Sequence, residues 1–343
     1  MTFTENLTSW YSVNKRDFPW RNTTDPYRIW LSEIILQQTQ IKQGLPYYQA
    51  FVKRFPKVYD LAQASQDDVL KLWQGLGYYS RARNLHETAK HVAFELDGVF
   101  PTSYSELLKL KGVGDYTASA IASICFNEPK AVLDGNVYRV LSRYFGVDAP
   151  INTTSGFKVF RALAQDNLDV QNPAMYNQAI MDFGATQCTP KKAACNTCPL
   201  ITACTAYSTG TVSELPVKIK AKKPKNRYFN FLVYLSKDKK TIVEQRKANG
   251  IWKHLYQFPL IESEKALPYN ALKDRLDSEL KVDFDLRLYN KQDVVHKLSH
   301  QHLHTKFWII DLNQLPQKGI SIAQLSHYAV PVVIENFIKD FNF

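Results

Sequence analysis

Four of the five cysteines, Cys188, Cys195, Cys198 and Cys204, fall within seventeen residues in the spacing C-x6-C-x2-C-x5-C. A segment that short brings four thiolates to one centre only by looping tightly, so a bound metal is expected to fold and fix it. Spacing alone leaves two groups open, a structural four-cysteine zinc ion or a 4Fe-4S cluster. Five cysteines are too few to staple 343 residues by disulfides, and a reducing, intracellular location is expected. The first residues agree, lacking both the charged n-region and the apolar h-region of a secretory signal. Cys125 stands apart in the apolar helical run TASAIASICF and reads as a buried core thiol. Lys191 and Lys192 lie between ligands, on a loop that could hold them against phosphate, although a solvated loop carries lysines as readily.

Single cores stop growing at roughly 250 to 300 residues, so this length favours two domains. With 45% apolar residues the chain can bury a sizeable core, and no apolar run approaches the ~18 residues that cross a bilayer. The formal charge of +11 points to a polyanionic partner. Residues 1–210 and 228–343 each carry a surplus of three positive charges, and the remaining five sit in 211–227, TVSELPVKIKAKKPKNR. That stretch lacks apolar periodicity and its like charges repel one another, so it reads as a basic linker.

Upstream of the linker the pattern is all-α. Asp25-Pro26 sets a cap and a first-turn proline for a helix through Ile29 to Leu36. Further helices are expected near 46–54, 67–74, 80–96, 103–109, 115–126, 136–145, 155–168 and 173–184. Downstream, FNFLVYLS, KTIVEQR, VDFDLRLY and HTKFWIIDL are strand-like and 264–280 and 331–341 helical, an α+β pattern.

Between two of these helices stands Leu110-Lys111-Gly112-Val113-Gly114. Gly112 and Gly114 let the backbone turn sharply and bring amide groups at the next helix start close to a phosphate; alone, G-V-G is simply a tight turn. Twenty residues on, Asp134 precedes Gly135-Asn136-Val137 and reads as a helix N-cap, which would keep its carboxylate ionised. Glu33 falls among apolar residues around most of its helix, and such surroundings raise a carboxyl's pKa towards neutrality.

Helix, L-x-G-V-G hairpin, helix, aspartate and C-x6-C-x2-C-x5-C together resemble the helix-hairpin-helix DNA glycosylase superfamily with its iron-sulfur cluster. The resemblance favours 4Fe-4S over zinc. In endonuclease III-like members the second residue after the hairpin is a lysine that forms a Schiff base and cleaves the strand; here it is Tyr116, which cannot. The segments WLSEIILQQTQ at 30–40 and LGYYSRARNL at 76–85 resemble adenine DNA glycosylases of the MutY type, so that the likeness covers nearly all of 10–210. It implies a monofunctional enzyme of base excision repair, a monomer intracellular with its DNA, that flips adenine out of a duplex opposite 8-oxoguanine or guanine. Glu33 would protonate the departing base, and Asp134 would stabilise the oxocarbenium ion or trap it covalently. Tyr116 would lie near the sugar, Asn136 would orient Asp134, and Arg21 would sit in the base pocket. Gln38, Thr39, Leu76 and Tyr78 would lie against the orphaned partner base.

Residues 228–343 resemble the Nudix-like domain with which MutY-type enzymes read 8-oxoguanine. True Nudix hydrolases carry an R-E-x-x-E-E core for magnesium; NALKDRLDSEL at 270–280 does not supply it, and no pyrophosphatase activity is expected. His296, His300, His302 and His304 read as strand-edge residues in preference to metal ligands. In the family an aromatic-Ser-His triplet reads the lesion. This chain has Leu298-Ser299-His300, with Ser299 and His300 as lesion-binding candidates and leucine in the aromatic's place.

Overall fold

The computed structural model describes residues 2–220, 223–341 and 343. The chain divides into two compact units, Met1–Gln63 with Asn84–Lys220, and Ala64–Arg83 with Ala221–Phe343. The helices in chain order are α1 (Phe3–Asn14), α2 (Pro26–Leu36), α3 (Ile41–Arg54), α4 (Val58–Gln63), α5 (Gln66–Leu72), α6 (Ser80–Glu95), α7 (Tyr104–Leu107), α8 (Asp115–Phe126), α9 (Gly135–Phe145), α10 (Thr154–Asp166), α11 (Pro173–Thr186) and α12 (Thr205–Ser208). Among the described residues, no helix is long and apolar enough to cross a membrane.

The first unit is helical, as the periodicity predicts. α11 packs on α1, α8 and α9 around a core that includes Leu7, Val140, Phe160, Tyr176 and Phe183. α1 escapes the pattern reading because polar residues interrupt its apolar face, yet it buries Phe3, Leu7 and Tyr11 and starts with a Thr2–Glu5 capping box. α2 begins where expected, with the Asp25 carboxylate accepting the Tyr27 amide at 2.9 Å and Pro26 in the first turn. It is buried along most of its length, so Glu33 enters the interior with its apolar neighbours.

Where like charges predict a solvated linker over 211–227, residues 211–220 are instead tied to the helices. Leu215 is buried, its carbonyl accepts Arg143 Nε at 3.0 Å, the Ile151 amide donates to Val217 at 3.0 Å, and Asn152 exchanges two hydrogen bonds with Ile219. Apolar anchors and backbone pairing outweigh the repulsion of two lysines there. Positions 221 and 222 of the expected linker lie outside the described residues, and the first strand already begins at Lys225.

The second unit contains β1 (Lys225–Ser236), β2 (Lys240–Thr241), β3 (Glu244–Gln245), β4 (Tyr256–Gln257), β5 (Leu260–Ser263), α13 (Tyr269–Leu280), β6 (Phe284–Leu288), β7 (Val294–Lys297), β8 (Gln301–Leu312), β9 (Ile320–Ser321) and α14 (Val332–Asp340). Its main sheet runs β5-β1-β8-β6, with β7 also paired to β8; β1 and β8 are parallel and the other pairs antiparallel. Alternation along β1 and β8 supplies both faces. Leu232, Tyr234, Trp308 and Ile310 pack with Leu272 and Leu276 of α13, while Phe231 stacks on Phe307 and Phe307 on Phe337 of α14. Residues 64–83 group with this sheet through specific bonds: Lys71 Nζ donates to the Tyr328 carbonyl at 3.0 Å, the Val330 amide to Gln74 at 3.2 Å, and Arg83 to the Lys253 carbonyl at 3.0 Å.

Candidate active site

In the first unit Glu33 from α2, Tyr116 from α8 and Asp134 and Asn136 at the start of α9 converge on one cavity of about 670 Å³. The Glu33 carboxyl is buried, which pushes its pKa up to about 7. The Tyr116 phenol, donating to it, and Arg21 pull it back down, while the charge of Asp134 pushes it up. Tyr116 is itself raised well above the ordinary phenol value, by burial first and by the two carboxylates next. Its hydroxyl also lies 3.3 Å from the Met181 sulfur.

Asp134 is the N-cap its position predicts. One carboxylate oxygen accepts the amides of Asn136 and Val137, each at 2.8 Å, and the other accepts Asn136 Nδ2 at 2.8 Å. The cap favours the ionised form, as expected of a helix N-terminus, but burial is the larger effect and raises the pKa against the pull of those three bonds and of Arg139. Asn136 is held in turn by Arg139, whose Nη2 donates to its side-chain oxygen at 2.8 Å and to the Gly184 carbonyl at 2.5 Å; Arg139 Nε donates to the Cys188 carbonyl at 2.7 Å. Two carboxyls thus share a cavity in unlike surroundings, Glu33 beside a phenol and Asp134 held by a fan of donors. That arrangement can deliver a proton and stabilise a cation together.

Arg21 also lines the cavity. Its guanidinium is bound to the fully buried Asp182 at 2.7 and 3.0 Å, so it does not present a free charge to phosphate. Gln38 and Thr39 line the same cavity just beyond the end of α2, Gln38 with a positive φ of 53°. The Gly112–Gly114 hairpin lies outside that lining. Gly112 has φ +80° and packs so closely on Asn84 that a Cβ would stand 2.8 Å from the Asn84 Cβ, whereas a Cβ on Gly114, the N-cap of α8, would meet nothing within 4 Å. The start of α8 is therefore open at this point, the condition for anion approach to its first amides.

Cys188, Cys195, Cys198 and Cys204 line one small cavity beside α9 and α11, all half-buried thiols without disulfides. Among the described residues no three His, Cys, Asp or Glu side chains are placed to hold a metal ion. Four thiols that line a shared void, and bring no other ligand type, suit a metal group soft enough for sulfur. Buried Arg143 knits the loop, donating to the carbonyls of Thr189 at 2.8 Å and Pro190 at 3.1 Å. Lys191 and Lys192 are exposed on it.

In the second unit Leu76, Tyr78 and Ser299 line a cavity of about 280 Å³ with Trp252 and His296. Tyr78 is exposed, with φ +46°, and its hydroxyl is 2.9 Å from the Ser299 hydroxyl. Ser299 and His300 occupy the turn between β7 and β8. The four histidines do not alternate along one strand: His296 is on β7, His300 in the turn, and His302 and His304 on β8. Sequence reasoning missed Asp182 and Arg139. The only trace of Asp182 is an acid inside the apolar run A-I-M-D-F-G, and Arg139 has no distinguishing signal.

The HhH-GPD superfamily base excision DNA repair protein family matches residues 31–160, and the NUDIX domain family matches residues 230–340. An adenine DNA glycosylase from Buchnera aphidicola subsp. Schizaphis graminum is 36% identical over 303 residues, spanning 88% of this chain and 85% of the relative. Among solved structures, a thermostable thymine-DNA glycosylase has a TM-score of 0.56 at 30% identity, covering 60% of this chain and 95% of its own. An endonuclease III–DNA complex gives 0.52 at 18% identity, again over 60% of this chain and 94% of its own, and shares the fold. Those structures cover 60% of the chain, whereas the Buchnera relative covers 88%; on that near full-length kinship the chain belongs to the adenine DNA glycosylase family of DNA N-glycosylases.

Proposed function

We propose that this enzyme hydrolyses the N-glycosidic bond of adenine paired with 8-oxoguanine or guanine, as a monofunctional glycosylase acting on double-stranded DNA as a monomer. The observation that carries the reading is the pair of carboxyls in one cavity, Glu33 pushed up to about 7 and Asp134 held by three donors. Adenine is a poor leaving group as an anion. Glu33 gives its proton to N7 of the extruded base as the C1′–N9 bond breaks, and the bond's electrons leave with the base. The deficit at C1′ is met by the Asp134 carboxylate, as an ion pair or as a covalent ester, with Asn136 fixing its direction. Water then adds at C1′ and gives up a proton to the carboxylate left on Glu33. Tyr116 donates to Glu33 and shields the sugar side of the cavity.

Gly112 and Gly114 would present the amides of α8 to a backbone phosphate. Gln38 and Thr39 would contact DNA at the first unit's cavity. Leu76, Tyr78, Ser299 and His300 of the second unit would contact the partner base, with Ser299 reading the altered edge of the oxidised purine. Cys188, Cys195, Cys198 and Cys204 would hold a 4Fe-4S cluster, which when bound ties their loop into one rigid piece. A duplex containing A:8-oxoguanine tests the reaction class. Strand breakage is expected only after alkali, because no lysine follows the hairpin; breakage without alkali, with trapping by borohydride, contradicts a monofunctional enzyme.

A further inference from the structure

One wall of the active-site cavity is anchored on a carboxylate that does not line it. Asp182 on α11 is fully buried, and both arginines in the lining, Arg16 and Arg21, are bound to it. Arg16 donates through its backbone amide at 3.2 Å, Nε at 3.0 Å and Nη2 at 2.5 Å. Arg21 donates through Nη1 at 3.0 Å and Nη2 at 2.7 Å, and Nη1 also reaches the Tyr11 hydroxyl at 2.6 Å. The Tyr11 hydroxyl donates in turn to the Gln178 side-chain oxygen at 2.8 Å, another residue of the cavity lining. A buried carboxylate is tolerated only when paired, and a guanidinium gripped by both of its forks has little freedom left.

The charges facing Glu33 give this clamp a chemical consequence. Tyr116 faces it from α8, Asp134 from the start of α9 and Arg21 from the short turn Pro19–Arg21. Cys125, also on α8, has a thiol pushed up to about 12 by burial and stays neutral. α3 contributes only Ile41 to the lining, and α11 only Gln178 and Met181, none of them charged. Arg16 lines the cavity too, but of the two arginines it is Arg21 whose charge lowers the Glu33 pKa and so acts against retention of the proton.

We propose that Asp182 is a positioning residue for the proton donor: by clamping Arg21 and offsetting its charge, it lets the guanidinium stand in the cavity wall while Glu33 keeps its proton. This rests on the reading of Glu33 as general acid. The test is single-turnover adenine release by the full-length enzyme across the neutral pH range, where the rate falls as Glu33 ionises. Asp182→Asn keeps the side chain's size and removes its charge. The alkaline limb should then move to lower pH by roughly half a unit or more, and Asp182→Glu should restore it. A limb that stays in place while the rate drops uniformly overturns the proposal, because a purely structural role lowers the rate at every pH. If Asp182→Asn does not fold, Arg21→Gln decides: removing the cation should move the limb upward, and an unmoved limb overturns the proposal. Glu33→Gln is run alongside. Full activity in that variant defeats the general-acid reading itself, an outcome separate from failure of the clamp.

Discussion

Gly184 on α11 meets Asn136 on α9 so closely that a Cβ on the glycine would stand 2.7 Å from the Asn136 Cβ and 2.9 Å from its carbonyl oxygen. The Gly184 carbonyl also receives Arg139, which holds Asn136, which holds Asp134. A methyl group at 184 therefore displaces the donor that aims the Asp134 carboxylate. Gly184→Ala is expected to slow single-turnover adenine release by at least ~10-fold, since small misplacements at a reacting centre are costly. Duplex binding should change far less. A wild-type rate in this variant contradicts the proposed role of Asn136.

Glu33 sets up an opposition between stability and activity. Its pKa is about 7 in the folded protein against an ordinary 4.5, so the native state holds the proton more tightly than the unfolded chain. Stability therefore declines as pH rises from about 4.5 through about 7 and is flat beyond. Glu33→Gln, which cannot ionise, should melt above wild type at pH values over 7, by up to an amount on the order of 3 kcal/mol, with the gap closing in acid. The same variant should lose about 10²-fold or more in adenine release. Thermal melts at acid and alkaline pH check the first half, and equal melting at both ends contradicts the burial argument.

The cysteine loop should depend on its metal. Purified protein is expected to contain iron, about four atoms per chain for a 4Fe-4S cluster, with a visible absorption band that bleaches on oxidation. Cys198→Ala should lose the band and, with the loop slack, bind duplex more weakly. Stoichiometric zinc with no iron contradicts the cluster assignment.

The β7–β8 turn should govern the choice of partner base. Replacing both Ser299 and His300 with alanine is expected to cut release from A:8-oxoguanine more than from A:G, because only the oxidised purine offers the altered edge. The two rates, measured on one enzyme preparation, give the ratio directly; a ratio equal to wild type removes these residues from lesion reading.

Much of the helical fold is legible in the sequence alone. The 3.6-residue periodicity locates α8, α9 and α11, and the caps at Asp25 and Asp134 set where two helices of the cavity start, because capping is local chemistry. Glu33 stood out since a charged residue within an apolar helix has no solvated face to occupy. Asp182 and Arg139 did not stand out. Arg16 and Arg21, which hold the Asp182 carboxylate, and Gly184 and Cys188, which tie Arg139 to α11 and the cysteine loop, lie more than forty positions away, so the sequence around each residue does not reveal those bonds. The grouping of residues 64–83 with the sheet was hidden for the same reason. It depends on backbone carbonyls at Lys253 and Tyr328, which carry no sequence identity.

The central claim is that one protonated and one ionised carboxyl act together to release adenine. Base release measured on duplexes holding A:8-oxoguanine, A:G and A:T, followed by alkali, tests it with wild type, Glu33→Gln and Asp134→Asn side by side. Wild type is expected to cleave at A:8-oxoguanine and A:G but not A:T, and both variants to lose nearly all cleavage with duplex binding retained. Equal cleavage of all three duplexes, or either variant as active as wild type, contradicts it.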